Sequence, residues 1–205
     1  MAGTYTRARR GGHACHQLVY LIETIYILIL LSESIHMKIG ITGHQNLINL
    51  TTVDWLKENI LNELNKLIIE AAYSSLAIGA DQLFATLAQH LNIPIIAVIP
   101  CLNYESTFKS NNLKIYKNLL STAIDHVDLG FTEPSELAFF EAGKKIVQAV
   151  DTLFAVWDGK PAKGLGGTGD IVAYATALKK PIIQFNLVSK NITYKNFNIK
   201  GLTFD

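Results

Sequence analysis

From Met37 onward, short apolar runs alternate with longer segments in which apolar residues recur every three or four positions. The apolar runs predict five β-strands and a weaker sixth, at 38–42, 75–78, 94–99, 152–157, 181–185 and, for the weak one, 126–129. The segments between them predict helices at 52–72, 81–91, 113–123, 135–150 and 170–179. Strands that are apolar along their whole length are covered on both faces. The alternation therefore predicts α/β architecture: a single doubly wound, Rossmann-like domain with a mostly parallel sheet and helices on both faces.

Capping and breaking residues set the expected ends of several elements. Thr51 or Thr52 is the predicted N-cap of the helix at 52–72, and Ser135 is the predicted N-cap of the helix at 135–150. Pro100 is expected to stop the third strand, because proline cannot donate a backbone hydrogen bond.

The two ends of the chain depart from this pattern, so the predicted domain runs from 37 to 186. Residues 1–36 place a basic stretch at 7–10 before an apolar stretch at 18–31 and then small residues, an order that imitates a secretory signal. Glu23 interrupts the apolar stretch, and Met37 directly precedes the first strand. Residues 1–36 are therefore a dispensable extension before a later start, a helix packed on the domain or at an oligomer contact, or a signal or membrane anchor. Residues 187–205 are expected to form an edge hairpin or a loose tail.

Composition limits the class of protein. Hydrophobic residues make up 49% of the 205 residues and charged residues 17%, which excludes a disordered chain. Eighteen Lys and Arg against seventeen Asp and Glu give a net charge of +1, which argues against binding nucleic acid through bulk charge. No apolar run reaches the roughly 18 to 20 residues that span a bilayer, which argues against a membrane partner.

The thiol and imidazole groups point to no metal or disulfide. Cys15 and Cys101 lie far apart, and with the six histidines they show no metal-ligand spacing. This usage is typical of a reduced, cytoplasmic protein.

Glycines and short polar residues follow three of the predicted strands. They are Gly43-His44, Gly79-Ala80-Asp81, and Asp158-Gly159 with the later Gly166-Gly167-Thr168-Gly169-Asp170. In open parallel sheets, ligands bind beyond the carboxyl ends of the strands. The sequence therefore predicts one binding site at that edge of the sheet.

The run Gly166 to Asp170 predicts a phosphate site at the start of the last helix. Glycines allow backbone N–H groups to approach an anion, the helix N-terminus favours negative charge, and Thr168 adds a hydroxyl donor. The alternative is a glycine-rich connection with Asp170 as a helix N-cap. The spacing fits neither a Walker loop nor the dinucleotide fingerprint.

Three further side chains are candidates for ligand contact. Asp81 is either a helix N-cap or a partner for a sugar hydroxyl or base. Asp158 follows a strand and is expected to face the crevice, and His44 can donate or accept a hydrogen bond beside Gly43.

Four motifs in this order resemble the SLOG superfamily, and the resemblance covers Met37 to about Asn186. They are Lys38-Ile39-Gly40-Ile41-Thr42-Gly43-His44, Gly79-Ala80-Asp81-Gln82-Leu83, Thr152-Leu153-Phe154-Ala155-Val156-Trp157-Asp158-Gly159 and Gly166-Gly167-Thr168-Gly169-Asp170. This superfamily joins the lonely-guy phosphoribohydrolases, the Rossmann-like part of DNA-processing protein A and nucleotide-sensor domains. The resemblance implies a Rossmann-like domain that binds a nucleotide or nucleotide-derived ligand at the strand ends.

The same resemblance argues against catalysis. The glutamate of the lonely-guy signature falls on Ala173, and the nucleophilic glutamate of the similar deoxyribosyltransferases falls on Ile171. The expected function is therefore a sensor or ligand-holding module without a further cofactor, assembled as a homodimer through the helix at 134–150. The alternatives are an N-ribosyl hydrolase or transferase that uses Asp170 or Asp158, and a single-stranded DNA-binding protein.

Overall fold

The structure is a computed structural model that describes residues 36–197. Residues 1–35 and 198–205, including most of the segment interpreted above as an extension, lie outside the described part. The strands are β1 (Met37–Gly43), β2 (Ile69–Ser74), β3 (Ile95–Cys101), β4 (Asp125–Phe131), β5 (Thr152–Val156), β6 (Ile182–Asn186) and β7 (Asn191–Lys195). The helices are α1 (Leu50–Leu64), α2 (Ala80–His90), α3 (Ser110–Thr122), α4 (Glu136–Ala149) and α5 (Thr168–Ala177), with a 3₁₀ turn at Tyr104–Thr107.

All seven strands form one sheet in the order β4-β3-β2-β1-β5-β6-β7, and only β7 is antiparallel to its neighbour. The predicted α/β architecture is therefore confirmed. Helices α1, α2 and α3 share one apolar core with one face of the sheet, whereas α4 and α5 share a second core with the other face. The first core includes the edge-to-face pair Phe84–Phe154, whose ring centroids lie 5.7 Å apart.

The strand order reverses at β1, which pairs in parallel with both β2 and β5. Gly43 at the end of β1 lies opposite Val156 at the end of β5, and the N–H of His44 donates to the carbonyl of Val156 at 3.0 Å. The chain leaves these two strands in opposite directions along the sheet. A crevice consequently opens at their carboxyl ends.

The predicted helix at 52–72 is confirmed as far as Leu64 and wrong beyond it, and the predicted strand at 75–78 is wrong. Helix α1 ends at Leu64, and β2 begins at Ile69. Leu67 and Ile68 continue the helical spacing of apolar residues, but the segment after them forms ladder hydrogen bonds with β1 and β3, and these override the spacing. The N-cap is Asn49, whose side-chain oxygen accepts the N–H of Thr52 at 3.0 Å, in place of Thr51 or Thr52.

Two strand ends also differ from expectation. β3 continues through Pro100 to Cys101, because the register with β4 shifts between Ile99 and Cys101, where the missing N–H of proline is tolerated. The weak strand at 126–129 is the full edge strand β4. Ser135 is confirmed as the N-cap of α4, since its hydroxyl accepts the N–H of Ala138 at 3.1 Å.

The two edges of the sheet are built differently. β7 covers β6, and the Tyr194 hydroxyl of β7 donates to the buried Glu63 carboxylate of α1 at 2.8 Å. β4 forms the opposite edge, where His126 and Asp128 form an exposed ion pair at 3.4 Å. Within residues 36–197, no helix is long and apolar enough to cross a membrane.

Candidate functional site

A cleft of about 1040 Å³ lies at the carboxyl ends of β1 and β5. This is larger than most small-ligand pockets and wide enough for a nucleotide. Eight of the sequence-predicted site residues line it: Gly43, His44, Asp81, Asp158, Gly166, Gly167, Thr168 and Gly169. The topology brings them together because each follows a strand or begins a helix at the same edge of the sheet.

His44 and Asp158 connect the two loops that flank the strand reversal. His44 Nε2 lies 3.1 Å from Asp158 Oδ1 and 3.3 Å from the backbone nitrogen of Asp158. A neutral imidazole accepts the backbone N–H at Nε2, and a protonated one donates to the carboxylate. The contact therefore holds the loops together in either protonation state.

Asp158 is kept ionised by its own turn. Burial acts to raise the pKa of Asp158, but the backbone N–H of Lys160 and the His44 imidazole outweigh it and hold the pKa below its usual range. The Lys160 N–H donates to Asp158 Oδ1 at 3.1 Å, and the Trp157 indole donates to the Lys160 carbonyl at 2.7 Å. This turn presents a fixed negative charge to the cleft.

Asp81 differs from Asp158 in that its pKa is raised and not lowered. It is 6% exposed, lines the cleft, and accepts hydrogen bonds at Oδ2 from the Ser74 hydroxyl at 3.3 Å and the Ser75 N–H at 3.2 Å. Burial raises the pKa of Asp81 to about 7, against the smaller opposing effect of these hydrogen bonds. None of the ion pairs within residues 36–197 involves Asp81.

The start of α5 offers unpaired donors to the cleft. Gly167 is the N-cap and Thr168 the first helical residue, so the helix begins two residues earlier than predicted. In the part of the chain that the structure describes, the backbone N–H groups of Thr168 and Gly169 have no acceptor, as expected for the first turn of a helix. These N–H groups, the Thr168 hydroxyl and the helix dipole together suit an anion.

Three other predicted residues do not line the cleft. Asp170 is the third residue of α5 and not its N-cap. Its Oδ2 accepts the Gly166 N–H at 3.0 Å, which ties the loop at 164–167, called the glycine loop below, to the first turn of α5. Gly159 lies in the turn after Asp158. Gly79 is the N-cap of α2, so Asp81 is the second helical residue there and not the cap.

The loop glycines are required by packing as well as by access to an anion. A Cβ on Gly167 would lie 2.8 Å from the Ala162 Cβ, and a Cβ on Gly166, whose φ is +82°, would lie 2.8 Å from the Glu136 carbonyl oxygen. A Gly167→Val variant would therefore displace the segment around Ala162. A substitution at Thr168 tests the anion site more cleanly.

Ile171 and Ala173, the positions on which the glutamates of the deoxyribosyltransferases and the lonely-guy enzymes fall, differ in orientation. Ile171 is buried, lines the cleft and packs against Gly143 of α4. Ala173 is exposed and does not line the cleft. A carboxylate at position 171 would thus face a bound ligand, and this chain has an aliphatic side chain there. No three His, Cys, Asp or Glu side chains between 36 and 197 are grouped to hold a metal ion.

The sequence did not identify the second side of the cleft. Tyr104 and Phe108 from the segment after β3, with Pro134 and Phe139 from the start of α4, form what is called here the aromatic wall. The aromatic residues after β3 were visible in the sequence, but nothing there indicated that α4 would bring Phe139 against them.

Two solved structures of DNA processing protein A share this fold. The protein from Streptococcus pneumoniae has a TM-score of 0.54 and 16% identity, over 73% of this chain and 50% of that one. The protein from Helicobacter pylori, described in terms of its single-stranded DNA binding mode, has a TM-score of 0.53 and 17% identity, over 72% of this chain and 64% of that one. No protein-family model matches the sequence, and no curated protein is similar to it. The fold is therefore the Rossmann-like fold that the resemblance to the SLOG superfamily implied, shared here with DNA processing protein A.

Proposed function

We propose that this protein binds a nucleotide or nucleotide-derived ligand in the cleft and acts as a sensor or ligand-holding module. The observation that carries the proposal is the open start of α5, where two N–H groups and the Thr168 hydroxyl line a cleft at the point of strand reversal. Helix N-termini bind anions through such N–H groups, and open α/β sheets bind ligands at the point where the strand order reverses.

In this proposal, the ligand phosphate lies on Thr168 and Gly169, with the exposed Lys160 and Lys163 beside it. Asp81 and Asp158 accept hydrogen bonds from sugar hydroxyls or base amino groups, because carboxylates are acceptors. Gly43 and His44 close the floor between the two carboxylates.

The charge of the cleft favours a small ligand over a nucleic-acid strand. Its lining contains Lys160 and Lys163 but also the ionised Asp158 and the partly ionised Asp81, so carboxylates offset much of the lysine charge. A groove that tracks a phosphate backbone needs an excess of positive charge along its length.

Two measurements test the proposal. Native mass spectrometry of the purified protein detects a co-purified nucleotide, and calorimetry compares the binding of AMP with that of an oligothymidylate that has no terminal phosphate. We expect a co-purified nucleotide or micromolar AMP binding, and at least tenfold weaker binding per site to the oligonucleotide. Tighter binding of the oligonucleotide, with a steep salt dependence, would assign the cleft to single-stranded DNA.

An N-ribosyl hydrolase is the second candidate, and the ionised, cleft-facing Asp158 is the observation that favours it. N-glycosidic cleavage needs a carboxylate near the positive charge that develops on the ribose. Chromatography of AMP incubated with the protein measures release of free adenine. Release that is lost in Asp158→Asn, while AMP binding remains, would replace the sensor proposal with catalysis.

We also propose a homodimer that uses the outer surface of α4, where Leu137 is exposed. Sedimentation velocity over a range of concentrations measures the assembly, and a monomer at every concentration contradicts it.

A further inference from the structure

The two sides of the cleft differ in chemistry. On the side of α5, the lining includes Thr168, Gly169, Lys160 and Lys163, with apolar neighbours such as Ile171. On the side of β3 and β4, it is the aromatic wall, whose members Tyr104, Phe108, Pro134 and Phe139 carry no charge. A ligand that spans the cleft can therefore place an anionic group at α5 and a flat, apolar group at the aromatic wall.

The aromatic wall is held by contacts among its own rings and with Tyr116 of α3. Phe108 stacks on Tyr116 with centroids 4.5 Å apart, and Tyr104 meets Phe108 edge-on at 4.9 Å. These three rings are at most 6% exposed. Because they are already ordered, a ligand that binds against them does not bear the entropic cost of ordering them.

Phe139 is the exposed member of this group. Its ring lies 6.2 Å from Tyr104, tilted by 53°, and the residue is 36% exposed while it lines the cleft. A half-exposed ring held from behind by another ring is a suitable surface for a flat, apolar group.

The glycine loop and Phe139 are connected through the same turn of α4. A Cβ on Gly166 would meet the Glu136 carbonyl oxygen and the Phe140 backbone nitrogen, each at 2.8 Å, so the loop lies against the first turn of α4. Phe139, Ala142, Gly143 and Ile146 follow helical spacing along the cleft side of that helix. The donors at the start of α5 and the Phe139 ring are therefore positioned by the same packing contact between the loop at Gly166 and the first turn of α4.

We infer that the aromatic wall is the subsite for the nucleobase, with Phe139 as the ring on which the base stacks. The inference rests on the proposed function, since it assumes that the phosphate of the same ligand lies at the start of α5. Stacking on an aromatic ring accepts every base, because each base has a flat face and the ring offers no hydrogen-bond pattern to read. The wall therefore confers affinity for a base and little discrimination among bases.

Calorimetric titration of the full chain with AMP and with ribose 5-phosphate separates the base from the rest of the ligand. We expect AMP to bind at least tenfold more tightly than ribose 5-phosphate, which lies within the range measured for base–aromatic stacking. We expect AMP, GMP, CMP and UMP to differ only a few-fold, with the purines tighter.

Phe139→Ala is expected to weaken AMP binding at least fivefold and to leave ribose 5-phosphate binding within about twofold. Phe139→Leu keeps apolar bulk against Tyr104 but removes the flat face, so it preserves the fold and loses part of the preference for AMP. The matched control is Leu102→Ala, which truncates a 73% exposed apolar side chain after β3, outside the cleft lining, and is expected to change neither affinity.

The outcomes separate this inference from the proposed function. If ribose 5-phosphate binds and AMP binds no more tightly, the base subsite is overturned while the phosphate site stands. If Phe139→Ala and Phe139→Leu weaken both ligands equally, Phe139 shapes the loop and does not contact the base, which also overturns the inference. If neither ligand binds the wild-type protein, both proposals fail.

Discussion

Helices α2 and α5 both begin at the cleft, with a glycine at the N-cap and an aspartate in the first turn. At α2, the carbonyls of His44 and Ala77 accept the N–H groups of Ala80 and Gln82, and the aspartate is buried beneath the turn. At α5, the first two N–H groups have no protein acceptor in the described residues, and the aspartate accepts an N–H from its own loop. Of the first two N–H groups of each helix, residues 36–197 supply a backbone acceptor for one at α2 and for neither at α5, so the start of α5 is the more open of the two. A glycine and an acid at a helix start thus do not by themselves indicate an anion site, and the unpaired N–H groups must be compared as well.

The closure of the α2 start is tested by Gly79→Ala, which has the largest expected effect. Gly79 has φ +90°, and a Cβ there would lie 2.3 Å from the Gln45 carbonyl oxygen and 2.6 Å from the Gln45 Cα. Backbone overlap and left-handed strain together should lower the free energy of unfolding by roughly 5 kcal/mol. Urea denaturation measures the change.

Gly159→Ala is the matched control for Gly79→Ala. Gly159 also has a positive φ, +86°, but the nearest atom to a Cβ there is Asn186 Nδ2 at 3.9 Å. Only the conformational cost of about 1 kcal/mol should remain. Equal losses in the two variants would show that φ alone matters and that the contact between α2 and the β1 loop does not.

The buried Asp81 makes stability depend on pH. With a pKa of about 7 in the folded protein against 3.8 as its ordinary value, Asp81 holds a proton that the unfolded chain releases. Stability should therefore fall as the pH rises from about 4 to about 7 and stay level above that. Asp81→Asn removes the titration and should be about 4 kcal/mol more stable than the wild type at pH 8, with little gain at pH 4.

Urea denaturation of Asp81→Asn and Asp170→Asn at pH 4 and pH 8 measures this difference. Asp170 is only partly buried, and its substitution should change stability by less than about 1 kcal/mol at either pH. A loss of stability in Asp81→Asn at pH 8 would contradict this prediction. It would mean that the hydrogen bonds from Ser74 and Ser75 to the carboxylate stabilise the fold by more than the buried charge destabilises it.

The open start of α5 is tested by Thr168→Val, which keeps the shape of the side chain and removes the hydroxyl. If Thr168 donates to a phosphate, affinity for AMP should fall about tenfold, or about 1.4 kcal/mol. Calorimetry measures the change, and Thr176→Val on the same helix is the control, since its hydroxyl donates to the Val172 carbonyl away from the cleft. Unchanged affinity in Thr168→Val would place the phosphate elsewhere.

The parts of this fold that depend on local pattern were predictable from the sequence. The buried strands β1 and β5 and the capped helix α4 follow from apolar runs and from Ser135. The boundary between α1 and β2 was not predictable, because Leu67 and Ile68 fit a helix until β1 and β3 are present to pair with the segment that follows. Local spacing cannot include hydrogen bonds to distant strands.

Some residues of the candidate site were predictable from the sequence and others were not. Its members at strand ends were predictable, because all parallel strands end at one edge of the sheet. The opposite environments of Asp81 and Asp170 were not, since they depend on which neighbouring groups cover each helix start. Phe139 was missed because its place in the cleft depends on how α4 packs, with Gly143 against Ile171, and no short motif records that contact.

The edge strand β4 has a consequence for solubility. Among residues 36–197, β4 has a neighbouring strand on one side only, and an unpaired edge of seven residues can recruit a strand from another molecule and so begin aggregation. Asp125 and Asp128 place carboxylates along this edge, His126 adds a polar ring, and Gly130, with φ +76°, interrupts the regular geometry before Phe131. Such charges disfavour the approach of a second strand, because pairing would desolvate them. Replacing them with apolar residues would leave the cleft intact and would produce a protein that precipitates from solution.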